Sequence, residues 1–406
     1  MRAVLAATPV LGASVATRVR WLLAAMLVLG GCGRTTLPPN DCGSSAAGLL
    51  ASGSMGSGGA NGVGGQRSLG GSLGHGGATA LGGLAGTGAV TSAGGQAGGG
   101  TTGTSNAIAI FPVPGMSVPE DWYDFSLPVG ITVGSDGNVW LAELGIDAIG
   151  RMMPNGGLAI FLPLPRGCAP KGIAASADGS IWFASSACQW IGYVSPTGDT
   201  PTLADPSADS AEHFPSRIAV GLDGFLYLTE ASGDAIHVMT NLGTGTRYPL
   251  AQQGSGAEYI VAGPDGGAWF TENSGNRIGH ITADGTLSEL SIPTANSGPA
   301  GLAFGTDGSL WFAEAAANRI GRFTAAGTFA EQAIPSAGSY PWGVAAAPDG
   351  SIWFTERSAK NLARITPAGA TELPLPANSD APTEIAVAAD GVVWFITGNA
   401  VGRLSP

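Results

Sequence analysis

The chain has 406 residues, 17 basic against 29 acidic, and a formal net charge of −12. That balance excludes a polyanionic partner such as nucleic acid, whose binding needs clustered Lys and Arg. The length is too great for one simple core unless the fold repeats, and the 67 glycines are placed so unevenly that they divide the chain.

Residues 1–31 read as a lipoprotein-type signal peptide. Arg18 and Arg20 precede an apolar run from Trp21 to Leu29 that is too short to span a bilayer. The segment before Arg18 is long for a charged n-region and points to a start further down the chain. Leu29-Gly30-Gly31-Cys32 resembles the bacterial lipobox, in which the Cys is lipidated and becomes the new N-terminus. The other reading is an ordinary cleaved signal with an incidental Cys. A lipid on Cys32 would anchor the protein without a transmembrane helix. The expected location is therefore the cell envelope, facing the periplasm or the outside, with membrane contact through the lipid alone.

Residues 32–105 read as a flexible tether. "GSMGSGGANGVGGQRSLGGSLGHGG" has no hydrophobic period and no aromatic residue. Such a stretch cannot bury enough apolar surface to offset its chain entropy. His75 within it is read as incidental, and Cys42 has no obvious partner.

Residues 106–406 repeat. An Asp-Gly pair recurs at Asp136, Asp178, Asp223, Asp265, Asp307, Asp349 and Asp390, at spacings of 42, 45, 42, 42, 42 and 41 residues. Fixed periods near 40 mark a repeat architecture. Within one unit, "PAGLAFG", "SLWFAE", "NRIGRFT" and "TFAEQAIP" read as four strands, with Asp307-Gly308 as a hairpin turn in which both residues tolerate positive φ. β-branched and aromatic residues, punctuated by Gly and Pro, exclude helical repeats. The expected fold is all-β: a seven-bladed β-propeller of four-stranded antiparallel blades. The last unit lacks a fourth strand, and "AIAIFPVP", Ala107 to Pro114, matches the missing one. The N-terminal strand is expected to close the last blade and leave no unpaired edge.

Trp140, Trp182, Tyr227, Trp269, Trp311, Trp353 and Trp394 share one slot. Seven copies of a bulky ring suit the wedge between neighbouring sheets, each burying on the order of 200 Å². Three residues on stand Glu143, Ser185, Glu230, Glu272, Glu314, Glu356 and Thr397. The five Glu allow two readings. One is structural, with Glu272 and Glu314 pairing with Arg277 and Arg319 across a hairpin or capping loop amides. The other is an acidic ring able to hold a cation.

The phrases "GPDGGAWFTENSGNRIGHIT" and "GTDGSLWFAEAAANRIGRFT" resemble the blades of the streptogramin B lyase family, named for virginiamycin B lyase, and the likeness covers about Ala107 to Pro406. The resemblance implies opening of a cyclic depsipeptide by elimination. That chemistry uses a base at a proton α to a carbonyl and a divalent cation for the developing charge. It also implies a His second in the Pro-x-Gly-Ile lead of the sixth blade, Glu-Pro-His-Gly-Ile in the seventh, an acid fourteen residues beyond that His, and a Tyr in the lead of the first. Those positions hold Trp342, then Ala381 and Thr383, then Thr397, and Val129. Neither Trp nor Thr replaces an imidazole near neutral pH. Glu384 stands one residue beyond Thr383, in the Gly slot, and strand alternation turns it to the other face. His213 falls in a loop, and His237 and His280 fall in third strands.

The expected function is a binding module for an organic or peptidic ligand; the alternative is a lyase-family enzyme with a rebuilt site. The equivalent slots Val129, Lys171, Ser216, Glu258, Ala300, Trp342 and Thr383 would line the mouth, with Lys171, Glu258 and Trp342 as cation, anion and aromatic platform. No catalytic residue, metal site or cofactor is assigned, and Mg²⁺ enters only with the lyase alternative. A monomer is expected. Cys168 and Cys188 lie in two loops that propeller geometry brings to one face of the second blade, and a disulfide between them is expected in an oxidising compartment.

Overall fold

A computed structural model describes residues 107–114, 126–196, 201–204 and 214–405, apart from 231, 233 and 242. The signal peptide and Cys32, the tether with Cys42 and His75, and His213 lie outside the described residues. The described residues fall in one unit, Gly103–Pro406. It contains seven four-stranded antiparallel sheets and no α-helix among the described residues.

Each sheet is one blade. The fifth runs Pro299–Phe304, Leu310–Glu314, Arg319–Phe323 and Phe329–Ala333, from the axis outward. The innermost strands touch their neighbours all the way round, and that of the seventh blade, Pro382–Val387, packs on that of the first, Pro128–Val133. The N-terminal strand Ile108–Pro112 pairs antiparallel with Ala400–Leu404 as the outer strand of the seventh blade. The first and last strands of the propeller thus hold one sheet together and close the ring.

The Asp-Gly turn works differently from the sequence expectation. At all seven sites only the Gly has positive φ, between 73° and 88°; no Asp of the pairs does. In the first blade Gly137 N–H donates to the Gly134 carbonyl, so Ser135 and Asp136 are the central residues of the turn and Gly137 follows in the left-handed region. The Asp contributes through its side chain, accepting the backbone N–H two residues on, as Asp136 does from Asn138 at 3.0 Å.

The repeated aromatic packs at blade boundaries. Trp269 meets Phe304 of the next blade edge-on at 6.2 Å. Tyr227 donates to Asp223 and touches the Gly266 carbonyl of the next blade at 3.0 Å. The following apolar residue, for example Phe270, Phe312, Phe354 or Phe395, is fully buried within the sheet stack. The third strand supplies a partner over the ring: Arg151 on Trp140, Arg322 on Trp311, Arg364 on Trp353, and His280 stacked on Trp269.

Candidate functional site: the mouth and axial cavity

The site is built by the start of each innermost strand. These strands begin on the pattern Pro-x-Gly-Ile or its variants, and six of the seven carry an irregularity just after the first residue. In the seventh blade the register jumps from Pro382 to Ile385, leaving Thr383 and Glu384 without ladder partners. A bulge breaks strict alternation. Glu384 is therefore not turned away from the mouth, as alternation alone predicted; it lines an axial cavity of about 180 Å³.

That cavity is lined by the Gly slot and the aliphatic residue after it. Four blades keep the glycine: Gly130, Gly172, Gly301 and Gly343. A Cβ there would strike the next inner strand, as at Gly301, 2.5 Å from the Trp342 carbonyl oxygen. The other three blades carry Arg217, Tyr259 and Glu384, and these side chains meet. Arg217 Nη2 lies 2.7 Å from Glu384 Oε1, and Tyr259 Oη donates to the same oxygen at 2.5 Å. The guanidinium also lies over the Tyr259 ring, 4.4 Å from its centroid. Only 11% and 12% of the Arg217 and Glu384 side chains is exposed. Burial opposes the charge on Arg217, but Glu384 above all, with Glu258, more than offsets it and strengthens its hold on the proton. Burial and the neighbouring Glu384 push the Tyr259 phenol well above its usual range, so it stays a donor.

Lys171 and Glu258 stand on the rim beside this trio. Lys171 Nζ is 3.4 Å from Glu258 Oε1, with 33% and 31% of the two side chains exposed. The third rim residue, Trp342, is half-buried. Tyr259 meets it edge-on at 6.0 Å, Tyr340 lies parallel at 5.9 Å, and the Arg357 guanidinium sits 4.5 Å from its ring centroid. Of the other mouth slots, Ser216 and Ala300 are buried, and Val129 and Thr383 are half-buried. The structure thus brings Lys171 and Glu258 together, and links Trp342 to them through Tyr259 and Arg217.

The five repeated glutamates are buried in separate blades. Glu143, Glu272, Glu314 and Glu356 are fully buried, and Glu230 nearly so. Glu143 accepts from Ser126 at 2.5 Å, and Glu356 accepts from Asn361 at 2.8 Å. Burial raises the carboxyls of Glu143, Glu272 and Glu314 to about 7, helped at Glu272 by Glu289 and at Glu314 by Glu331. Burial also raises Glu356. At Glu230 burial is overridden by hydrogen bonds with His237 and Arg247, at 2.6 Å each, which hold it down to about 2. Arg277 and Arg319 stand opposite Glu272 and Glu314 in register, yet they bridge instead to Glu289 and Glu331 on the fourth strands. Among the described residues, no three His, Cys, Asp or Glu side chains converge to hold a metal. His280 is occupied by Asp265, 2.7 Å away.

The loop leading to Lys171 is pinned. Cys168 and Cys188 form a disulfide with Cα atoms 4.7 Å apart. Ser185 donates to the Cys168 carbonyl, and the Asp147 carboxylate accepts from Gly167 and Ala169 N–H at 2.7 and 2.6 Å. Asp147 has positive φ, as do Gln189, Asn276, Asn318 and Lys360 in the same hairpin of later blades. Asn276 and Asn318 likewise hold the loop leading into the next blade.

This arrangement has relatives. The family model described as the virginiamycin B lyase family matches residues 204–406. A solved streptogramin B lyase is 33% identical, with 74% of this chain and 97% of that chain covered and a TM-score of 0.67. The chain belongs to the virginiamycin B lyase family. A catalytically inactive His-to-Ala variant of virginiamycin B lyase from Staphylococcus aureus, solved with quinupristin, is 30% identical over 74% of this chain and 100% of that one, with a TM-score of 0.66. Hydrazine synthase from Kuenenia stuttgartiensis, 14% identical over 72% of this chain and 99% of that one, shares the fold alone, with a TM-score of 0.59. No curated protein matches the chain.

The positions that the family resemblance assigns to chemistry hold other groups here. Trp342 lies in the aromatic cluster described above. Thr397 is buried and donates to the Asp380 carbonyl at 2.7 Å. Thr383 offers its carbonyl to Thr355, and Ala381 has no side-chain donor atom. A divalent cation at these positions would find no carboxylate or imidazole and a hydroxyl already engaged, so the residues present do not fit it.

Proposed function

We propose that this protein is a ligand-binding member of the virginiamycin B lyase family that keeps the propeller and its mouth without the elimination chemistry. The observation that carries the reading is Trp342 and its surroundings. Where the resemblance expects an imidazole base stands an indole, packed with Tyr259 and Tyr340 into an aromatic platform beside Lys171 and Glu258. An indole cannot take a proton at neutral pH, but it offers a flat apolar face. The ligand is then an organic or peptidic molecule with an aromatic group for the platform and polar groups for the rim. In the relative solved with quinupristin, one His-to-Ala change marks an inactive enzyme; here the corresponding chemistry is replaced at several positions at once.

Cys32 gives this propeller an anchor. Lipidated there, with residues 32–105 as a leash, the mouth would work at the surface of a cell-envelope membrane, as a monomer.

Quinupristin tests the reading. Calorimetry reports binding, and chromatography separates the cyclic compound from its linear isomer. Binding that needs no Mg²⁺, is weakened by Trp342→Ala and leaves the compound cyclic is the expected result. Mg²⁺-dependent linearisation would overturn it.

A further inference from the structure

The chain contains fifteen arginines and only two lysines, Lys171 and Lys360. Lys360 has a structural role, because its ammonium donates to the Ser379 carbonyl at 2.9 Å in the loop of the last blade. Lys171 instead stands at the mouth, where a permanently charged guanidinium would have served equally well for an ion pair. The difference between the two side chains is that an amine can lose its proton and become a nucleophile.

The surroundings of Lys171 favour that loss. Glu258, its carboxylate contact, is at 3.4 Å, a long distance for a charge-assisted bond. Arg217, from the adjacent blade, is buried and already committed to Glu384 at 2.7 Å, so the positive charge that opposes the ammonium is fixed in place. Tyr259 keeps its proton and supplies no negative charge. Burial first, then Arg217, lowers the Lys171 ammonium below its ordinary range, with Glu258 and the more distant Glu384 opposing.

We propose that Lys171 is a nucleophilic amine of the mouth that captures a carbonyl ligand reversibly as an imine. The amine lone pair attacks the carbonyl carbon, and the carbon–oxygen π pair moves to oxygen, which takes a proton. The carbinolamine nitrogen then expels that oxygen as water, leaving a carbon–nitrogen double bond. Glu258 is the group placed to accept the ammonium proton and to return it to the departing oxygen. The ligand class is an aldehyde or ketone carried on an aromatic ring, since the mouth that holds Lys171 also carries the Trp342 ring, met edge-on by Tyr259. This inference rests on the mouth being a ligand site, and it names the ligand chemistry of that site.

The test uses Lys360 as an internal reference. It is the more exposed of the two lysines, so greater access cannot explain a preference for Lys171. The purified full chain is treated with benzaldehyde and cyanoborohydride at neutral pH, and each lysine-containing peptide is quantified by mass spectrometry. Lys171 is expected to be alkylated several-fold faster than Lys360, and the preference is expected to shrink at strongly alkaline pH, where both amines are neutral. Arg217→Gln should reduce the preference at neutral pH. A second arm labels with acetic anhydride, which reads amine reactivity without any ligand site. Equal labelling of the two lysines in both arms would overturn the proposal. Preference in the anhydride arm without alkylation by benzaldehyde would also overturn imine capture, while leaving the mouth free to bind ligands non-covalently.

Discussion

Arg217 and Glu384, 167 residues apart in sequence, meet at 2.7 Å in the lining of the axial cavity. They come from the third and seventh blades, which are not neighbours in the ring. Tyr259 of the fourth blade donates to the same carboxylate oxygen. The ring is thereby tied across its centre as well as around its circumference.

Breaking that tie should be costly. Removing one partner of a buried ion pair strands the other charge, typically at about 3–5 kcal/mol. Glu384→Gln and Arg217→Met should each lower stability by that order in denaturant unfolding. The double variant should lose less than the sum, and the coupling measures the pair.

The disulfide should contribute through the unfolded chain. Closing a loop with a sequence separation of 20 residues is worth about 3 kcal/mol. Cys168→Ala with Cys188→Ala is expected to lower the unfolding midpoint accordingly. Thiol titration of the unreduced, denatured protein should find neither cysteine free.

The slot glutamates predict opposite pH dependences. Glu143, Glu272 and Glu314 have folded values near 7, above the ordinary 4.5. Between those pH values the folded state binds more protons than the unfolded one, so stability is full below about 4.5 and falls as pH rises towards 7. The slope is at most about 1.4 kcal/mol per pH unit for each carboxylate. Glu314→Gln should flatten this slope and raise stability at pH 8. Glu230 is depressed to about 2 and acts the other way: its contribution is present above 4.5 and lost as pH falls towards 2. Unfolding curves from pH 2 to 9 for the parent and for the Glu314→Gln and Glu230→Gln variants separate the two.

The turn glycines carry a pure backbone prediction. Gly308 has φ of 73° and open space where a Cβ would sit. Gly308→Ala should therefore cost only the left-handed penalty, about 1–2 kcal/mol. Gly301→Ala should cost more, because its Cβ meets backbone at 2.5 Å.

The fold was legible because each blade repeats the same local instructions. Asp-Gly pairs, the Trp slot and the strand that closes the ring all sit at regular offsets. The rim residues Lys171, Glu258 and Trp342 were legible for the same reason, as departures in one aligned position. The axial trio was legible one position further on, where Arg217, Tyr259 and Glu384 interrupt a column of glycines, but alternation hid it. The bulge between Pro382 and Ile385 is a backbone irregularity that no side-chain period reports. The ties of Arg277 and Arg319 were misplaced because a hairpin register predicts nearness, and the fourth-strand carboxylates offer the more accessible partner.

The proposed loss of elimination chemistry is tested most directly by assaying quinupristin in Mg²⁺ with two proteins side by side. One is the parent chain. The other carries Trp342→His, Ala381→Glu, Thr383→His and Thr397→Glu together. The expected result is that the parent leaves the compound cyclic over a time in which the fourfold variant yields the linear isomer. Sustained linearisation by the parent, dependent on Mg²⁺ and unaffected by Trp342→Ala, would contradict it.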